Sequence, residues 1–295
     1  MYFVKSYSEQ SYTAIKFNKI EILSIIVEGG MYMDISIVIL NYKSRDLTLS
    51  CIESIKNADF SGLTRELIVV DNDSKDGLGN IVKTKYPEIE FIQNGKNLGM
   101  GAGNNVGIRR AQGKYVAVMN PDTVADKDAF KKLFMFMEAD PQVGVAGPKQ
   151  FYPDGGVQDS CYRWYGVMTP FFRRTILGRW NVGRKSIDKF LMKDFDHNST
   201  KEVDWLLGSF LFCRAEALRN VGMFDEDFFL YFEDTDLAKR FWKNNWKVIY
   251  FPDAKIIHNH GRESAKRPWY KFFSSPAGRY HFVSWITYLK KWWRR

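Results

Sequence analysis

The sequence predicts an α/β fold built on a doubly wound, mainly parallel sheet, in which a regular first half is joined to a less regular second half. Short β-branched apolar runs alternate with segments whose apolar residues follow helical spacing. Polar, turn-forming residues close these apolar runs. Strands and helices that alternate in this way place helices on both faces of a parallel sheet. The 295 residues, 45% of them hydrophobic, are enough to bury a large core.

The alternation is clearest between residues 34 and 150. Strands are predicted at 35–40, 66–70, 90–92 and 115–119, and helices at about 46–57, 77–85 and 103–112. Beyond residue 150 the alternation of strands and helices becomes less regular. It resumes at 203–208, in a helix near 214–220 and in the run 228–242. No low-complexity linker separates these regions, so we expect one compact domain over 34–265 with halves at 34–150 and 151–265.

Two terminal segments flank this domain. Residues 1–33 form a polar, aperiodic extension, and residues 266–295 form a basic, aromatic tail. The tripeptide Glu28-Gly29-Gly30 implies a purine-rich coding stretch just before Met31 and Met33. Two explanations stay open: translation starts at Met31 or Met33, or the segment is a natural extension.

The composition restricts the partners and the cellular location. A net charge of +9 favours anionic partners such as phosphate-bearing substrates or an acidic membrane. Nucleic acid would explain the charge but not the acidic strand ends, so we expect no nucleic-acid partner. Three cysteines without a CxxC pair indicate reduced thiols in a cytoplasmic protein. No apolar run approaches the roughly 20 residues that span a bilayer.

Polar side chains follow three of the predicted strands, at Asn41, at Asp71 and at Asn120-Pro121-Asp122. The carboxyl ends of parallel strands meet at one edge, where such sheets bind ligands. Asp71 either caps the next helix or accepts hydrogen bonds from a nucleobase or a sugar hydroxyl. Asp122 either belongs to a simple turn or holds Mg²⁺ or Mn²⁺ together with diphosphate oxygens, because these ions prefer oxygen ligands.

A glycine-rich run accompanies the third predicted helix. It reads Asn97-Leu98-Gly99-Met100-Gly101-Ala102-Gly103-Asn104-Asn105 and matches neither the dinucleotide-binding nor the P-loop pattern. The mismatch argues against a dinucleotide-dependent dehydrogenase and against a P-loop ATPase. Alternating glycines before a helix either let a phosphate approach the backbone or form a tight turn.

The second half carries two further candidate groups. Glu233, Asp234 and Asp236 either form the favourable acidic first turn of a helix or supply a general base with a raised pKa. His258 ends a predicted strand close to His260, and it is either a packed residue or a metal ligand. The acidic cluster is the most specific of these patterns.

Together these segments resemble the inverting family 2 glycosyltransferases of the GT-A fold, especially their rhamnosyltransferase-like branch. The resemblance covers roughly residues 34–265. It rests on ISIVILNY, ELIVVDNDS, NLGMGAGNNVGI, VMNPD, VDWLLGSFLFCR, VGMFDEDFFLYFEDTDLAKR and IIHNHG, in that order. The order and spacing make the set far more specific than any single segment.

The resemblance implies a role for each candidate residue. Asn41 and Asp71 would contact the nucleoside, while Asp122 would bind the metal ion and the diphosphate. His258 would complete the metal shell, and Asp234, supported by Glu233, would be the catalytic base. The other donor-side candidates are Asn97, Gly99, Asn104 and Asn120, and the acceptor-side candidates are Trp205, Leu207 and Gly208. The family's metal motif often begins with Asp, so Asn120 leaves less negative charge around the ion.

The same resemblance implies transfer of a sugar from a nucleoside-diphosphate donor to a saccharide acceptor. L-rhamnose from dTDP-rhamnose is the first expectation, and a UDP-sugar is the alternative donor. The acceptor would be carried on a polyprenyl diphosphate during synthesis of a bacterial surface polysaccharide. A non-catalytic nucleotide-sugar binding protein is a further alternative, although it would need no acid at Asp234. A sugar nucleotidyltransferase would carry its glycine-rich segment after the first strand, where this chain has Asn41-Tyr42.

The tail after Pro276 predicts a helix with cationic groups near its end. Its apolar residues Val283, Ile286, Leu289 and Trp293 fall toward one side. Such a helix either packs on the protein's own body or lies on an anionic membrane. The membrane arrangement would place the protein peripherally on the inner face of the cytoplasmic membrane, close to a lipid-linked acceptor.

Overall fold

The computed structural model describes residues 33–259 and 275–292. The extension up to residue 32 lies outside them, as do His260 and Trp293. The strands are β1 (Met33–Asn41), β2 (Arg65–Asp71), β3 (Glu90–Gln93), β4 (Gly113–Met119), β5 (Thr123–Ala125), β6 (Val143–Phe151), β7 (Val157–Gln158), β8 (Cys161–Tyr162), β9 (Lys201–Glu202), β10 (Trp205–Leu206), β11 (Phe210–Arg214) and β12 (Lys247–His258). The helices are α1 (Arg45–Lys56), α2 (Leu78–Lys85), α3 (Met100–Ile108), α4 (Ala129–Ala139), α5 (Thr169–Arg174), α6 (Asn181–Phe190), α7 (Ala215–Val221), α8 (Glu233–Lys243) and α9 (Pro276–Trp292), with a 3-10 helix at Ile176–Arg179.

Ten strands form one sheet in the order β3-β2-β1-β4-β11-β6-β12-β5, with β7 paired to β6 and β9 paired to β12. The four strands β3, β2, β1 and β4 are parallel, and β12 is parallel to β6. β11 runs antiparallel between β4 and β6. The predicted α/β class with a mainly parallel central sheet is confirmed. Strands from both sides of residue 150 interleave in this sheet.

β1 illustrates why the apolar runs become central strands. Its side chains alternate, so Ile37 and Ile39 pack on one face with α1, α2 and α4. Val38 and Leu40 lie on the opposite face, where α3 packs directly on them and residues of α7 and α8 belong to the same apolar cluster. A strand that is buried on both faces needs a continuous apolar run, and the first predicted strand supplies one.

The third helix differs from its predicted position. It spans Met100–Ile108 rather than about 103–112, so the part of the glycine-rich run from Met100 onward lies inside it. A Cβ atom on Gly103 would lie 2.8 Å from the Leu40 side chain, and one on Gly107 would overlap Val38. Close packing of the helix backbone on β1 therefore offsets the weak helix propensity of glycine.

The tail helix α9 packs on the protein's own body. Tyr288 and Trp292 are buried against Phe228 and Phe232, just before α8. Val283, on the apolar side predicted from the sequence, is instead 59% exposed. Among the residues that the structure describes, no helix is long and apolar enough to cross a membrane.

Candidate active site

Three polar side chains meet at the carboxyl edge of the parallel strands. The strand register aligns Asn41 of β1, Asp71 of β2 and Gln93 of β3. Asn41 Nδ2 and Gln93 Nε2 each donate to the Asp71 carboxylate at 2.6 Å. Burial works to raise the pKa of Asp71, but these bonds and others from Ser74 outweigh it and hold the pKa below its ordinary value. The structure thus brings Asn41 and Asp71 together around an ionised carboxylate.

Asn41 itself is fully buried and orders the loop that follows β1. Its Oδ1 atom accepts hydrogen bonds from Thr48 Oγ1 at 2.9 Å and from Ser44 N at 3.2 Å. A nucleoside contact by Asn41 stays a prediction. Gln93 was not identified from the sequence, and its only signal was its position at the end of the third strand.

Asn72 connects this edge to the glycine-rich run, and it was also missed. Its Nδ2 atom donates to Asn97 Oδ1 at 2.8 Å and to Gly99 O at 3.1 Å. Its Oδ1 atom accepts from Leu98 N at 3.0 Å. The available signal was the position of Asn72 directly after Asp71 at the end of β2. Asn97 therefore has a defined place in the loop, and its donor contact stays a prediction.

Gly99 joins the glycine-rich run to the segment that precedes the acidic cluster. Its φ of +85° lies in the left-handed region, and a Cβ atom there would overlap the Phe229 carbonyl oxygen. Met100 N donates to that same oxygen at 2.7 Å. Further along α3, Asn104 donates to Met100 O at 3.0 Å, while its buried Oδ1 has no hydrogen bond among the described residues.

A turn at residues 120–123 presents Asp122. Thr123 N donates to Asn120 O at 3.2 Å, and Pro121 occupies the second position, which its fixed φ suits. The Asp122 side chain is 21% exposed, yet its Oδ1 atom is buried and accepts no hydrogen bond within residues 33–259 and 275–292. A buried carboxylate oxygen of this kind is stabilised by a cation.

His258 lies beside Asp122 because β12 pairs with β5. The pairing places His258 opposite Thr123 and brings its Nε2 atom to 3.4 Å from Asp122 Oδ1. On the far side of the ring, His258 Nδ1 lies 3.1 Å from Gln158 Oε1. An amide oxygen only accepts, so Nδ1 carries a proton, and in the neutral ring Nε2 is a potential metal ligand.

The positions of Asp122 and His258 fit a divalent-cation site in which substrate phosphates and water supply the remaining ligands of the ion. No group of three or more His, Cys, Asp or Glu side chains suited to a metal ion occurs in the described part of the chain. Mg²⁺ and related ions are commonly held by one or two protein ligands together with substrate phosphates and water. Two protein donors around a buried carboxylate oxygen match that pattern.

The acidic cluster begins α8 after an unusual reversal of the chain. Tyr231 and Phe232 have φ values of 70° and 69°, and each such non-glycine residue costs roughly 1–3 kcal/mol. The reversal presents Asp234 as a half-buried carboxylate. It accepts hydrogen bonds from Gly208 N at 3.0 Å and Thr235 N at 2.7 Å. Burial raises the pKa of Asp234 despite these bonds.

Glu233 occupies a more enclosed position than Asp234. Burial first, and the charge of Asp234 second, raise the pKa of Glu233 to about 8. Its buried Oε2 atom makes no hydrogen bond within the described residues. Glu233 therefore holds its proton more tightly than Asp234, whose negative charge helps to retain it.

The third acid of the cluster has a structural role. Asp236 is fully buried and accepts hydrogen bonds at 2.8 Å from Trp292 Nε1 and from Arg240 Nε. Lys291 Nζ lies 2.7 Å from the same carboxylate. Asp236 thus anchors α9 to α8.

Two consecutive residues connect the Asp234 carboxylate to the turn that carries Asp122. Gly208 N binds Asp234, and Ser209 O accepts a hydrogen bond from Asn120 N at 2.8 Å. A Cβ atom on Gly208 would lie 3.2 Å from Asp234 Oδ2, so this glycine keeps the approach close. The turn that carries Asp122 and the start of α8 are thus bonded to two adjacent residues of the chain.

The other acceptor-side candidates, Trp205 and Leu207, make contacts within the protein. Trp205 is only 4% exposed, stacks on Tyr162 at 4.3 Å between ring centroids, and donates to Arg163 O. Leu207 is half-buried and donates from its backbone to Ser160 O at 2.9 Å. Direct acceptor contacts by Trp205, Leu207 and Gly208 stay predictions. An open depression of about 750 Å³ between α4 and β12 contains none of the candidate side chains.

Comparison with known proteins identifies related sequences and folds. The family model "Glycosyl transferase family 2" matches residues 36–198, more than half of the chain. An N-acetylglucosaminyl-diphospho-decaprenol L-rhamnosyltransferase of Mycobacterium tuberculosis is 27% identical over 250 residues, covering 77% of this chain and 76% of that protein. The rhamnosyltransferase WbbL of Escherichia coli K12 is 26% identical over 265 residues, covering 86% and 92% of the two chains.

Solved structures show the same fold at lower identity. The mannosyltransferase PcManGT of Pyrobaculum calidifontis, in complex with GDP-Man and Mn²⁺, aligns with a TM-score of 0.54 at 18% identity. That alignment covers 79% of this chain and 59% of the other. Residues 1–349 of S. aureus TarS align with a TM-score of 0.54 at 18% identity, covering 77% and 60%. The chain thus spans about six-tenths of the length of these two structures.

Proposed function

This chain belongs to glycosyl transferase family 2 and is a glycosyltransferase, and from that premise we propose an inverting transfer in which Asp234 is the general base. The reaction joins a sugar from a nucleoside-diphosphate donor to a hydroxyl of a saccharide acceptor. One observation carries this proposal: Gly208 N holds the half-buried Asp234 carboxylate, while the adjacent Ser209 holds the turn with Asp122. A base and a diphosphate site must lie close together in such a reaction.

The donor is proposed to be dTDP-rhamnose, with a UDP-sugar as the alternative. Thymine and uracil each carry an imide N–H, which an ionised carboxylate accepts well. The Asp71 carboxylate is already bonded by Asn41, Gln93 and Ser74, which leaves about one of its roughly four acceptor positions for such a group. The rhamnosyltransferases among its relatives favour rhamnose as the sugar.

Asp122 and His258 are proposed to hold Mg²⁺ or Mn²⁺, and Mn²⁺ occurs in the name of the PcManGT complex. When bound, such an ion neutralises charge on the departing nucleoside diphosphate. Gln158 orients the His258 ring through its contact with Nδ1. Asn97, Gly99, Asn104 and Asn120 are proposed to shape the donor side of the same edge.

The chain's own residues then control one proton transfer. Asp234 accepts the proton of the acceptor hydroxyl as that oxygen bonds to the anomeric carbon and the bond to the diphosphate oxygen breaks. Hydrogen bonds from Gly208 and Thr235 fix the carboxylate in place. Glu233 supports Asp234 by staying protonated, which avoids a second negative charge beside the base. A single displacement from the opposite face inverts the sugar configuration.

The acceptor is proposed to be a saccharide on a polyprenyl diphosphate, used in the synthesis of a bacterial surface polysaccharide. The name of the M. tuberculosis relative includes a diphospho-decaprenol acceptor. The chain's positive net charge suits a diphosphate-bearing acceptor and an anionic membrane surface. On this proposal the protein works peripherally on the inner face of the cytoplasmic membrane.

A panel of dTDP-, UDP- and GDP-sugars, with release of nucleoside diphosphate as the readout, tests the reaction. Asp234→Asn is expected to lower turnover by about 10²–10⁴-fold while leaving donor binding by calorimetry almost unchanged. Turnover near the wild-type rate in Asp234→Asn would rule out this base. Donor binding without any diphosphate release would support a binding protein instead. Pyrophosphate release from a nucleoside triphosphate would support a nucleotidyltransferase.

A further inference from the structure

A helical insert, defined as residues 166–190, exposes an unusual number of large apolar side chains. It comprises α5, the 3-10 helix and α6, and it lies between β8 and β9 in the chain. Among the described residues, fourteen large hydrophobic side chains are exposed, and six of them belong to this insert. Three of the six are more than half exposed, at 56% for Ile176, 67% for Trp180 and 74% for Val182. Scattered exposed apolar residues need no explanation, but a concentration of this kind indicates a contact surface.

The same insert is strongly basic. It contains six lysines and arginines and a single acidic residue, so it supplies more than half of the chain's net charge of +9. Of these cations, Arg179, Arg184, Lys185 and Lys189 form no ion pair with any described residue. In α6, Val182, Lys185 and Lys189 are exposed at spacings of three and four residues, which places them along one side of the helix. Exposed apolar and cationic side chains therefore lie close together along the insert, and Val182 shares one side of α6 with two lysines.

The insert is closely packed and contacts the candidate active site through aromatic side chains. Cβ atoms on Gly178 and Gly183 would overlap backbone carbonyl oxygens of the neighbouring turns, so its helices pack closely. The ring centroid of Phe190, the last residue of the insert, lies 4.5 Å from that of Tyr165. Tyr165 in turn lies 5.0 Å from Phe232, the residue before Glu233. The surface is therefore held by the same aromatic cluster that supports the catalytic carboxylates.

We propose that the helical insert is a docking surface for the anionic headgroups of a phospholipid bilayer. Tryptophan and aliphatic side chains enter the interface, and arginine and lysine bind the lipid phosphates. A nucleic-acid surface would need the cations without so many exposed aliphatic side chains, and a purely apolar protein interface would not need the unpaired cations. The inference rests on the proposed function in one respect: docking on the bilayer would bring Asp234 to a lipid-linked acceptor.

Sedimentation of the full chain with vesicles tests the docking surface. The vesicles are phosphatidylcholine alone and phosphatidylcholine mixed with phosphatidylglycerol, without donor or acceptor. Wild type is expected to bind the anionic vesicles and to dissociate as salt is added. Arg179→Glu combined with Lys185→Glu is expected to weaken that binding by about thirtyfold or more. Trp180→Ser is expected to weaken it independently of charge.

Matched controls separate this surface from general effects of charge and from the tail. Lys83→Glu combined with Lys127→Glu reverses two exposed cations elsewhere and should leave binding within about threefold of wild type, because screening limits distant charges. Met135→Ser serves as the apolar control, and Val283→Ser tests the exposed side of α9. Donor binding measured without vesicles shows that each variant is folded.

Several outcomes would overturn the docking surface. The first is that the wild-type protein does not bind anionic vesicles. The second is that the insert variants bind as tightly as wild type, and the third is that only Val283→Ser loses binding. A lipid-free dimer that Trp180→Ser dissociates would show that a second copy covers the insert. Failure of the proposed function would give a different result: the protein would bind vesicles normally but would release no nucleoside diphosphate from any donor.

Discussion

Glu233 and Asp234 are adjacent residues, yet the start of α8 gives them different ionisation behaviour. Glu233 is buried and its pKa rises to about 8, whereas Asp234 is half-buried and receives N–H groups from Gly208 and Thr235. Asp234 therefore ionises first, and its negative charge then helps to retain the proton on Glu233. The two carboxyl groups titrate as a coupled pair, and of the two only Asp234 is exposed enough to meet an acceptor hydroxyl.

Glu233→Gln tests this division because glutamine imitates the protonated acid. The folded protein binds the Glu233 proton more tightly than the unfolded chain, so this group's contribution to stability is lost as pH rises from 4.5 to about 8. The free energy of unfolding should thus fall with pH in wild type, relative to Glu233→Gln, by on the order of a few kcal/mol over that interval. Urea unfolding at several pH values measures it, and parallel pH profiles for the two proteins would contradict the raised pKa. Glu233→Gln should also retain turnover, in contrast to Asp234→Asn.

Asp122→Ala should remove the metal-dependent part of donor binding. The variant loses the buried carboxylate oxygen beside His258, so donor affinity with Mn²⁺ should fall by about 10–100-fold. Calorimetry with and without Mn²⁺ should then give similar donor affinities in the variant. Asp126→Ala is the matched control, since Asp126 is an exposed acid four residues along the chain. If Mn²⁺ strengthens donor binding equally in both variants, Asp122 is not a ligand.

The acids of the candidate site were easier to identify from the sequence than the residues that contact them. Asp122 and Asp234 follow recognisable strand and helix boundaries, and their residue types suggest chemistry. The contact between Asp122 and His258 depends on β5, whose three residues are too few to show a period. Gln158 lies on the two-residue strand β7, and glutamine in a loop carries no chemical signal of its own. Supporting residues of this kind become visible only when the strands are paired.

At the scale of elements, the contact between α3 and the segment before α8 depends on one backbone conformation. Gly99→Ala would place a Cβ atom against Phe229 O at a φ of +85°. Gly62→Ala is a suitable control, because Gly62 has a φ of +80° and no atom within 4 Å of the added Cβ. Both variants bear the left-handed strain of about 1 kcal/mol, but only Gly99→Ala adds a clash, so we expect it to lose roughly 2 kcal/mol more. Chemical denaturation measures the difference, and equal losses would show that the contact adjusts without cost.

The attachment of α9 to α8 predicts a second effect on stability. Asp236→Asn would leave Lys291 and Arg240 near a neutral amide in a fully buried position, with an expected loss of about 3–5 kcal/mol. Asp227→Asn removes an exposed acid and should change stability by no more than about 0.5 kcal/mol. Thermal unfolding of both variants compares them. Similar melting temperatures would mean that the buried ion pairs contribute little net free energy.

Element positions were predictable where burial leaves a clear period, and less so where glycine is involved. β1 was predicted at 35–40 and spans Met33–Asn41, because its continuous apolar run is buried on both faces. α3 was placed about three residues too late, since its glycines suggested a loop. In the fold those glycines allow the helix backbone to pack on Val38 and Leu40, a tertiary effect that local propensity does not contain.

At the scale of the whole molecule, strand pairing was the least predictable feature. The period of an apolar run reports that a strand is buried, but not which strand lies beside it. β11 follows β4 by about ninety residues and still pairs with it, and on its other edge β11 pairs with β6. The division near residue 150 that the sequence suggested therefore crosses a continuous sheet. Gly208 and Ser209, just before β11, reach both Asp234 and the turn of Asp122 because of this insertion.

This interleaving predicts that the described residues, 33–259 and 275–292, unfold as one cooperative unit. Loss of β11 or β12 would expose the edges of β4, β6 and β5, so neither half can melt while the other keeps its sheet. Calorimetric and van't Hoff enthalpies should agree for the main transition, and tryptophan fluorescence should follow the same curve as the circular dichroism signal. Donor with Mn²⁺ should raise the temperature of that whole transition, because ligand that binds only the folded state stabilises the entire unit. Two resolved transitions, of which only the first responds to donor, would show that the halves fold separately despite their shared sheet.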